Sequence, residues 1–410
     1  MTTRVAITGL GVIAPLGNSV DEVLLGLRSG RSGIKPLPTP CSETPGSSIG
    51  ATVQTPACAR IPETRLRMLD RVSYLALVAA INAVEDSGIE FGEENRERCG
   101  VMVGTGMGGA GTTDEGYHTL YAQRSDRIKP FTVIAAMVNA PAAWIGLEYG
   151  LSGPNLTYST ACSSSAVAVG EAAERIRLGL ADVMIAGGAE APLTRGVLRA
   201  WDAMRTLAAI DKADPSASCR PFSLSRSGLV LGEGAAFLVL ESWERATRRG
   251  ARIRAALTGY GLATDVAHIT RPTVEGQARA LRAALQSAGR SENDIDYINA
   301  HGTATLQNDA VETAAIKEVF GSRAYSIPVS STKSMHGHLL GAAGALELVI
   351  CIGCLEQGWV PPTMHLDQTD PACDLDYVRG AARGDLSLRV ALSNSFAFGG
   401  TNAVLAVERV

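Results

Sequence analysis

The chain has 410 residues, of which 46% are hydrophobic and only 5% aromatic, and 44 of them are glycine. This composition is typical of an α/β protein with a large core and many tight turns between strands and helices. A formal net charge of −4 argues against binding to nucleic acid by bulk phosphate attraction, so we expect no nucleic-acid partner.

Short apolar runs alternate with helical patterns along the chain, which predicts sheets covered by helices on their faces. The first run lies in an apolar stretch that holds Arg4 and several glycines and has no cleavage site, so it predicts a buried strand. The Pro/Ser-rich segment Lys35 to Ser48 predicts a surface loop. The predicted elements are strands over Val5 to Ile7, Val101 to Val103, Val183 to Ala186 and Val390 to Leu392, and helices over Arg71 to Ala83 and Val311 to Val319.

Two short sequence echoes indicate an internal duplication. The echoes pair Thr8 to Gly11 with Thr258 to Gly261, and Gly232 to Glu241 with Gly399 to Glu408. We therefore predict two related halves, residues 1–250 and residues 251–410.

The eight cysteines are scattered along the chain without the spacing of a disulfide framework. Reduced thiols in a cytoplasm are the simplest explanation. Cys351 and Cys354 lie in an apolar helical run, Leu346 to Leu355, and are predicted to pack in the core rather than to form a redox or metal pair. No run reaches the roughly 18 uninterrupted apolar residues of a membrane span, so we predict no membrane partner.

Cys162 lies between the run Asn155 to Ser159 and a long Ala/Val-rich helical pattern. This position predicts an elbow between a strand and a helix, where a nucleophilic cysteine is well placed. The unpaired N–H groups and the dipole of the helix N-terminus are expected to lower the pKa of the thiol. A small, buried and unreactive cysteine is the alternative interpretation of this residue taken alone.

Two histidine motifs follow downstream. His301 begins the sequence HGTAT after the strand-like run Asp296 to Ala300, and His338 ends the sequence KSMHGH, which starts at Lys333. One thiol and two imidazoles at the ends of elements predict an active site. His336, inside the second motif, is predicted to lie behind the site or at the surface. We predict no metal, because the thiol and the two motif histidines would already use up the plausible zinc ligands.

These residues give the chain a resemblance to a known family. Together with Ile7 to Gly11, Leu231 to Gly234 and Ser393 to Asn402, they make it resemble the elongating β-ketoacyl-acyl-carrier-protein synthases, the decarboxylating condensing enzymes of the thiolase superfamily. The resemblance covers nearly the whole chain and implies a five-layered αβαβα fold made of two duplicated halves. It also implies a Claisen condensation, in which an acyl group on Cys162 is joined to malonyl on an acyl carrier protein to give a β-ketoacyl thioester.

The resemblance also implies roles for the residues of the site. Cys162 would hold the acyl group. His301 and His338 would donate hydrogen bonds to the malonyl thioester oxygen, and Lys333 would help keep them neutral. The backbone N–H groups of Cys162 and Phe398 would form the oxyanion hole. The other implied residues are the supporting acids Glu347 and Asp309, the phosphopantetheine contacts Thr303 and Thr305, and the acyl-pocket residues Met107, Trp201 and Phe398.

Met107 and Trp201 are bulkier than the residues common at their positions in the family. They predict a narrowed or reshaped acyl pocket that accepts long saturated chains poorly. The segment from Ala191 to Arg205 is also similar to stand-alone synthases of polyketide and polyene pathways. Elongation in a type II polyketide or polyene pathway is therefore slightly favoured over fatty-acid elongation.

The resemblance implies an acyl carrier protein as partner and a dimer, either a homodimer or a heterodimer with a homologous chain-length subunit. It implies a cytoplasmic enzyme without a metal or redox cofactor, since phosphopantetheine arrives on the carrier protein. The alternative function is a non-catalytic or partner-dependent subunit of a heterodimeric ketosynthase complex. Carrier proteins are acidic, so a basic docking surface is expected, and its candidates are Arg65, Arg67, Arg124, Arg127, Lys129 and Arg205.

Overall fold

The structure, a computed structural model, describes residues 4–37 and 49–410. Most of the predicted surface loop Lys35 to Ser48, and Cys41 with it, lies outside the described residues. Within these two ranges the chain forms 12 strands and 13 α-helices. The cysteines within the same ranges are free thiols.

The strands are β1 (Val5–Ile13), β2 (Ile34–Pro36), β3 (Ile49–Ala51), β4 (Cys99–Gly104), β5 (Asn155–Tyr158), β6 (Val183–Glu190), β7 (Gly234–Ser242), β8 (Ala255–Thr264), β9 (Tyr297–Asn299), β10 (Val329–Ser330), β11 (Val390–Phe396) and β12 (Thr401–Glu408). The helices are α1 (Val20–Arg28), α2 (Glu63–Leu66), α3 (Arg71–Ser87), α4 (Ala110–Tyr117), α5 (Thr132–Ala136), α6 (Ala140–Tyr149), α7 (Ser164–Arg177), α8 (Arg195–Ala203), α9 (Trp243–Arg248), α10 (Val274–Ala288), α11 (Leu306–Phe320), α12 (Lys333–His336) and α13 (Ala343–Gln357).

The four strands and two helices predicted from the alternating patterns are present, and each extends further than predicted. The strand-like run Asp296 to Ala300 forms the shorter strand β9. Helix α3 begins after Asp70, whose carboxylate accepts the backbone N–H of Val72 at 2.9 Å, and ends at Gly88 with a φ of 59°. Helix α11 begins after Thr305, whose hydroxyl accepts the backbone N–H of Asn308. Polar N-caps and a left-handed glycine are the usual boundaries of helices, and they set these ends.

The main sheet repeats one arrangement of strands twice. Its order is β10-β9-β11-β12-β8-β1-β7-β6-β4-β5. Outward from the centre, the first two pairings on each side are antiparallel and the next two are parallel. The two sides join where Val5, Ala6 and Ile7 pair antiparallel with the start of β8. The predicted duplication is confirmed, and the boundary at residue 250 stays a prediction.

The same close packing requires glycine at the echoed positions on both sides of the sheet. A Cβ atom on Gly11 would lie 2.0 Å from the carbonyl oxygen of Ala79 in α3. A Cβ atom on Gly261 would lie 2.1 Å from the carbonyl oxygen of Ala280 in α10. A helix packs so closely on the strand backbone in both places that a larger residue cannot fit. The sequence echo is therefore one packing requirement met twice.

Helices cover and separate the two sides of the sheet. Helices α7 and α13 share a buried cluster with strands from both sides, including β1 and β12, and so form a central layer. Helices α3 and α6 pack with strands of the first side, and α10 and α11 with strands of the second. The resulting order of helix, sheet, helix, sheet and helix is the five-layered fold that the resemblance implies.

By length and composition, one segment of the described residues, Leu340–Gln357, is long and apolar enough to cross a membrane. It consists of α13 and the turn before it, and 89% of it is buried inside the protein. Helix α13 lies in the central layer, between the two sides of the main sheet. This buried position explains an apolar composition on all sides of the helix.

Candidate active site

Cys162 lies in a 3-10 turn, Ala161–Ser163, between the end of β5 and the start of α7. Ala161 has a φ of 52°, in the left-handed region that residues other than glycine seldom adopt. The backbone N–H of Thr160 donates to the Ser164 hydroxyl at 2.9 Å, and that hydroxyl donates to the carbonyl of Ala161 at 2.6 Å. These bonds hold the predicted elbow in place.

The thiol of Cys162 does not have the lowered pKa that its place at a helix N-terminus suggested. Burial raises the pKa of Cys162 to about 12, and the charge of Lys333 and the backbone N–H of Phe398, which donates to the sulfur, oppose this rise in part. The predicted lowering of this pKa was wrong, because the loss of solvent around the thiol outweighs the effect of the helix end. The resting thiol is protonated at neutral pH, so its proton must move when the sulfur reacts.

The two motif histidines meet at this thiol. Nε2 of His338 lies 3.0 Å from Sγ of Cys162, and the rings of His301 and His338 are 5.3 Å apart at 83°. Burial, followed by the charge of Lys333, holds the pKa of both imidazoles well below 6.5. The direction of this effect of Lys333 is the one that was predicted. Nδ1 of each ring has no hydrogen-bond partner among the described residues.

Lys333, at the start of α12, forms a fully buried ion pair with Glu347 of α13. Burial raises the pKa of Glu347 to about 7, and Lys333 opposes this rise. Removing either partner would leave an unpaired buried charge, which is costly. The pair therefore fixes a positive charge beside the histidines.

A buried carboxylate that the sequence analysis missed holds the loop of His301. The two oxygens of Glu312, in α11, accept the backbone N–H groups of His301 and Gly302, each at 2.8 Å. The side-chain amide of Asn394 also donates to Glu312, at 3.1 Å. Burial raises the pKa of this carboxyl. Its one sequence signal is a glutamate inside the predicted helix Val311 to Val319.

A second missed carboxylate, Glu190, ends β6. It accepts the backbone N–H groups of Gly106, Met107 and Gly341 at 2.7, 2.9 and 2.9 Å. Burial raises the pKa of Glu190 to about 7, and these hydrogen bonds oppose the rise. Glu190 thus ties a loop of the first side of the fold to the loop that follows His338. Its sequence signal is an acidic residue at the end of an apolar strand.

His336 is fully buried, so the surface alternative was wrong. Its Nδ1 lies 2.7 Å from the carbonyl oxygen of Gly337, and its Nε2 lies 2.8 Å from the hydroxyl of Thr332. Burial lowers the pKa of His336 to about 3. The neutral ring braces the turn that leads to His338.

Asp309 and the two threonines occupy different places. The hydroxyls of Thr303 and Thr305 are 2.9 Å apart, and both residues line the cavity that contains the thiol. Asp309 accepts the backbone N–H of Phe222 at 2.8 Å and lies 3.9 Å from Arg226. Burial raises the pKa of Asp309 to about 6. Asp309 therefore supports the neighbouring loop that contains Phe222.

A cavity of about 360 Å³ opens onto the thiol and both motif histidines. Trp201 and Phe398 line it, with their rings stacked 5.9 Å apart at 21°. Met107 is 40% exposed and is not among the described residues that line this cavity. Two of the three acyl-pocket candidates thus lie together, and Met107 lies apart from them.

The six basic docking candidates divide into two groups. Three form ion pairs: Arg65 with Glu148, Arg67 with Glu63, and Lys129 with Glu115. The other three have no side-chain ion pair with any residue that the structure describes: Arg124, Arg127 and Arg205. Arg205 also lines the cavity. A free guanidinium group is the better candidate for an acidic partner, because it has no internal pair to break.

The ligand atoms of Cys162, His301 and His338 all lie within 4.8 Å of one another. Thiolate and imidazole are ligands that zinc accepts. That the site works without a metal stays a prediction.

The sequence matches two family models. One, described as Beta-ketoacyl synthase, N-terminal domain, matches residues 2–246. The other, described as Beta-ketoacyl synthase, C-terminal domain, matches residues 254–367. The first match contains Cys162, and the second contains His301, Lys333 and His338.

Curated proteins of the same length are similar over the whole chain. Nodulation protein E of Rhizobium meliloti (strain 1021) is 46% identical over 410 residues, which is 100% of both proteins. The 3-oxoacyl-(acyl-carrier-protein) synthase 2 of Coxiella burnetii (strain RSA 493 / Nine Mile phase I) is 40% identical over 410 residues, 99% of each.

Solved structures are similar to the chain in both fold and sequence. The ishigamide ketosynthase/chain length factor has a TM-score of 0.92 at 35% identity, with 100% of both chains covered. A chain in the structure of a type II polyketide synthase acyl-carrier protein in complex with its ketosynthase bound to the hexaketide has a TM-score of 0.91 at 33% identity, again with 100% of both chains covered.

Proposed function

This chain belongs to the β-ketoacyl synthase family, and we propose that Cys162 is its nucleophile. It is an acyltransferase-type condensing enzyme that makes β-ketoacyl thioesters on an acyl carrier protein. The observation that carries the proposal is the contact of 3.0 Å between Sγ of Cys162 and Nε2 of His338, on the wall of a cavity that also holds His301.

The first proposed step is acyl transfer to Cys162. Its sulfur attacks the carbonyl of an acyl thioester, and the bond from that carbonyl to the pantetheine sulfur breaks. The thiol proton is transferred to the departing pantetheine sulfur. This transfer is needed because the buried thiol is protonated and a free thiolate would be costly there. The backbone N–H groups of Cys162 and Phe398 stabilise the oxyanion.

The second proposed step is decarboxylation and condensation. The malonyl thioester loses carbon dioxide and becomes an enolate, whose oxygen accepts hydrogen bonds from the neutral imidazoles of His301 and His338. The enolate carbon attacks the acyl carbonyl, the bond to the sulfur of Cys162 breaks, and the sulfur takes up one proton from solvent. The ion pair of Lys333 with Glu347 supports this step, because a fixed cation disfavours protonation of the imidazoles.

We propose that an acyl carrier protein delivers both thioesters, and that the chain acts as a homodimer or as a heterodimer with a homologous chain-length subunit. Two similar solved structures support this, one with an acyl-carrier protein and one with a chain length factor. Thr303 and Thr305 would contact the phosphopantetheine arm. No metal or redox cofactor is needed, because that arm comes with the carrier, and free cysteines fit a cytoplasmic enzyme.

The pathway is elongation of either fatty-acid or type II polyketide and polyene chains. Similarity to a 3-oxoacyl synthase supports the first, and similarity to polyketide ketosynthases supports the second. The second candidate function is a non-catalytic or partner-dependent subunit of a heterodimeric ketosynthase. One of the similar structures is a ketosynthase/chain length factor, and this similarity supports the second candidate.

Intact-protein mass after incubation with a panel of acyl-carrier-protein thioesters tests the nucleophile. We expect wild type to gain the mass of one acyl group and Cys162→Ala to gain none. Cys58→Ala is the matched control, because Cys58 is a partly exposed free thiol and should leave the gain unchanged. The preferred acyl group would separate saturated fatty chains from polyketide-like chains.

Two other outcomes would contradict the proposal. A mass gain that survives in Cys162→Ala would place the nucleophile at another residue. No gain with any donor, from folded wild type, would favour the non-catalytic or partner-dependent subunit.

A further inference from the structure

Two arginines at the cavity have no part in the proposed mechanism. Arg205 follows α8, and Arg271 lies between β8 and α10, so they come from different sides of the fold. Both line the cavity, and both are exposed. Neither guanidinium group forms an ion pair or hydrogen bond with any residue in the described ranges. Two unpaired cations therefore stand at the outer part of a cavity whose inner part holds a buried thiol.

The described lining of the cavity carries more cations than carboxylates. Among the described residues that line the cavity, Asp265 is the one carboxylate. Its two oxygens already accept the backbone N–H groups of Ala267 and Thr273. Two guanidinium groups without a neutralising partner attract an anion, and their planar forks suit phosphate in particular.

The substrate supplies such an anion. Under the proposed function, its thioester lies at Cys162 and its pantetheine arm runs past Thr303 and Thr305, so the phosphate at the other end of the arm reaches the exposed part of the cavity. We infer that Arg205 and Arg271 bind this phosphate by charge-assisted hydrogen bonds. The inference rests on the proposed function. It assigns Arg205 to the phosphate rather than to acidic side chains of the carrier protein.

Two small substrates without a carrier protein isolate the phosphate. We would compare malonyl-phosphopantetheine with malonyl-pantetheine, which differ by the phosphate alone, as partners for enzyme already acylated on the nucleophile. For Arg271→Ala, we expect KM to rise about tenfold with the phosphorylated substrate and to stay unchanged with the other, since a charge-assisted hydrogen bond is lost only where phosphate is present. Arg205→Ala should act in the same direction, and Arg271→Lys should restore part of the affinity.

Arg124→Ala is the matched control. Arg124 is also exposed and unpaired among the described residues, but it does not line the cavity. It should change KM for neither small substrate.

Other outcomes would overturn the inference. An equal change for both small substrates would show that the arginines shape the cavity rather than bind phosphate. A change seen only with malonyl on the carrier protein would assign them to carrier side chains. Calorimetric binding of phosphopantetheine and pantetheine gives the same comparison without turnover. If acylated wild type condensed neither small substrate nor malonyl on the carrier protein, the proposed function would fail, while calorimetry would still decide the phosphate site.

Discussion

The two histidine loops reach one thiol through different supports. The backbone of His301 is held by Glu312, which lies in the same side of the fold. His338 donates its backbone N–H to the carbonyl of Val230 at 2.7 Å, and the loop after it donates from Gly341 to Glu190 at 2.9 Å, both in the opposite side. His301 is thus fixed within its own side of the fold. His338 is fixed across the junction between the two sides, where its loop bonds to Val230 and Glu190. The two supports should therefore fail separately.

The largest effect is expected from Glu312→Ala. It leaves the backbone N–H groups of His301 and Gly302 without an acceptor in a buried site, which should lower the free energy of unfolding by about 4 kcal/mol. Because Cys162 and His338 do not depend on this support, acylation should persist while condensation slows about 100-fold. Denaturant unfolding and the mass assay measure the two effects.

Glu244→Ala is the control for that change, since Glu244 is an exposed helical glutamate and its loss should shift stability by less than about 0.5 kcal/mol. Glu312→Gln keeps one acceptor oxygen and should lie between the two. Equal loss of acylation and condensation would show that the His301 loop is not independent of the junction.

A pH effect of intermediate size is expected at the junction. The pKa of Glu190 in the folded protein is about 7, above its ordinary value of 4.5. Between these values the folded state holds a proton that the unfolded state lacks, so the stabilisation is complete below pH 4.5 and is lost as pH rises through 7. Over that interval the free energy of unfolding of wild type should fall by about 3 kcal/mol relative to Glu190→Gln.

Urea unfolding of both proteins at a series of pH values measures this difference. The comparison with Glu190→Gln cancels the other buried groups, among them Glu347, whose pKa is also raised to about 7. Parallel curves for the two proteins would mean that Glu190 keeps its charge throughout and that the junction does not respond to pH.

The smallest effect is expected from Gly341→Ala. A Cβ atom there would lie 2.4 Å from the backbone nitrogen of Gly106 and 2.7 Å from the carboxylate of Glu190, so the junction must widen, at a cost of about 2 kcal/mol. Because His338 lies three residues earlier, acylation and condensation should slow together. Gly384→Ala, with no atom within 4 Å of the added Cβ, should change neither; loss of condensation alone in Gly341→Ala would contradict the comparison.

The part of the site that carries chemistry was predictable from sequence because its residues stand in local motifs. Cys162 follows a strand-like run, and His301 and His338 each stand in a short motif at the end of an element. The duplicated fold was predictable for a similar reason. Where a helix packs closely on a strand, the strand needs a glycine, so the glycine recurs wherever that packing recurs.

The supports were not predictable, because they join residues far apart in the chain. Glu190 and Gly341 are separated by 151 positions, and the partner of the carboxylate is a backbone group that any residue carries. The predicted direction of the pKa shift of Cys162 was wrong for a related reason. Burial depends on packing by the whole fold, whereas the helix end that suggested a lowered pKa is local.

The place of β1 in the sheet has a consequence for synthesis on the ribosome. Its two neighbours, β7 and β8, are encoded roughly 230 residues or more after it. At about 5–20 residues per second, the nascent chain carries this strand, which is buried along its whole length in the folded protein, for roughly 10 to 50 seconds before either neighbour emerges. An unpaired strand of this kind is prone to aggregate, so production of the enzyme in a foreign host should depend on chaperone supply and improve with slower translation at low temperature.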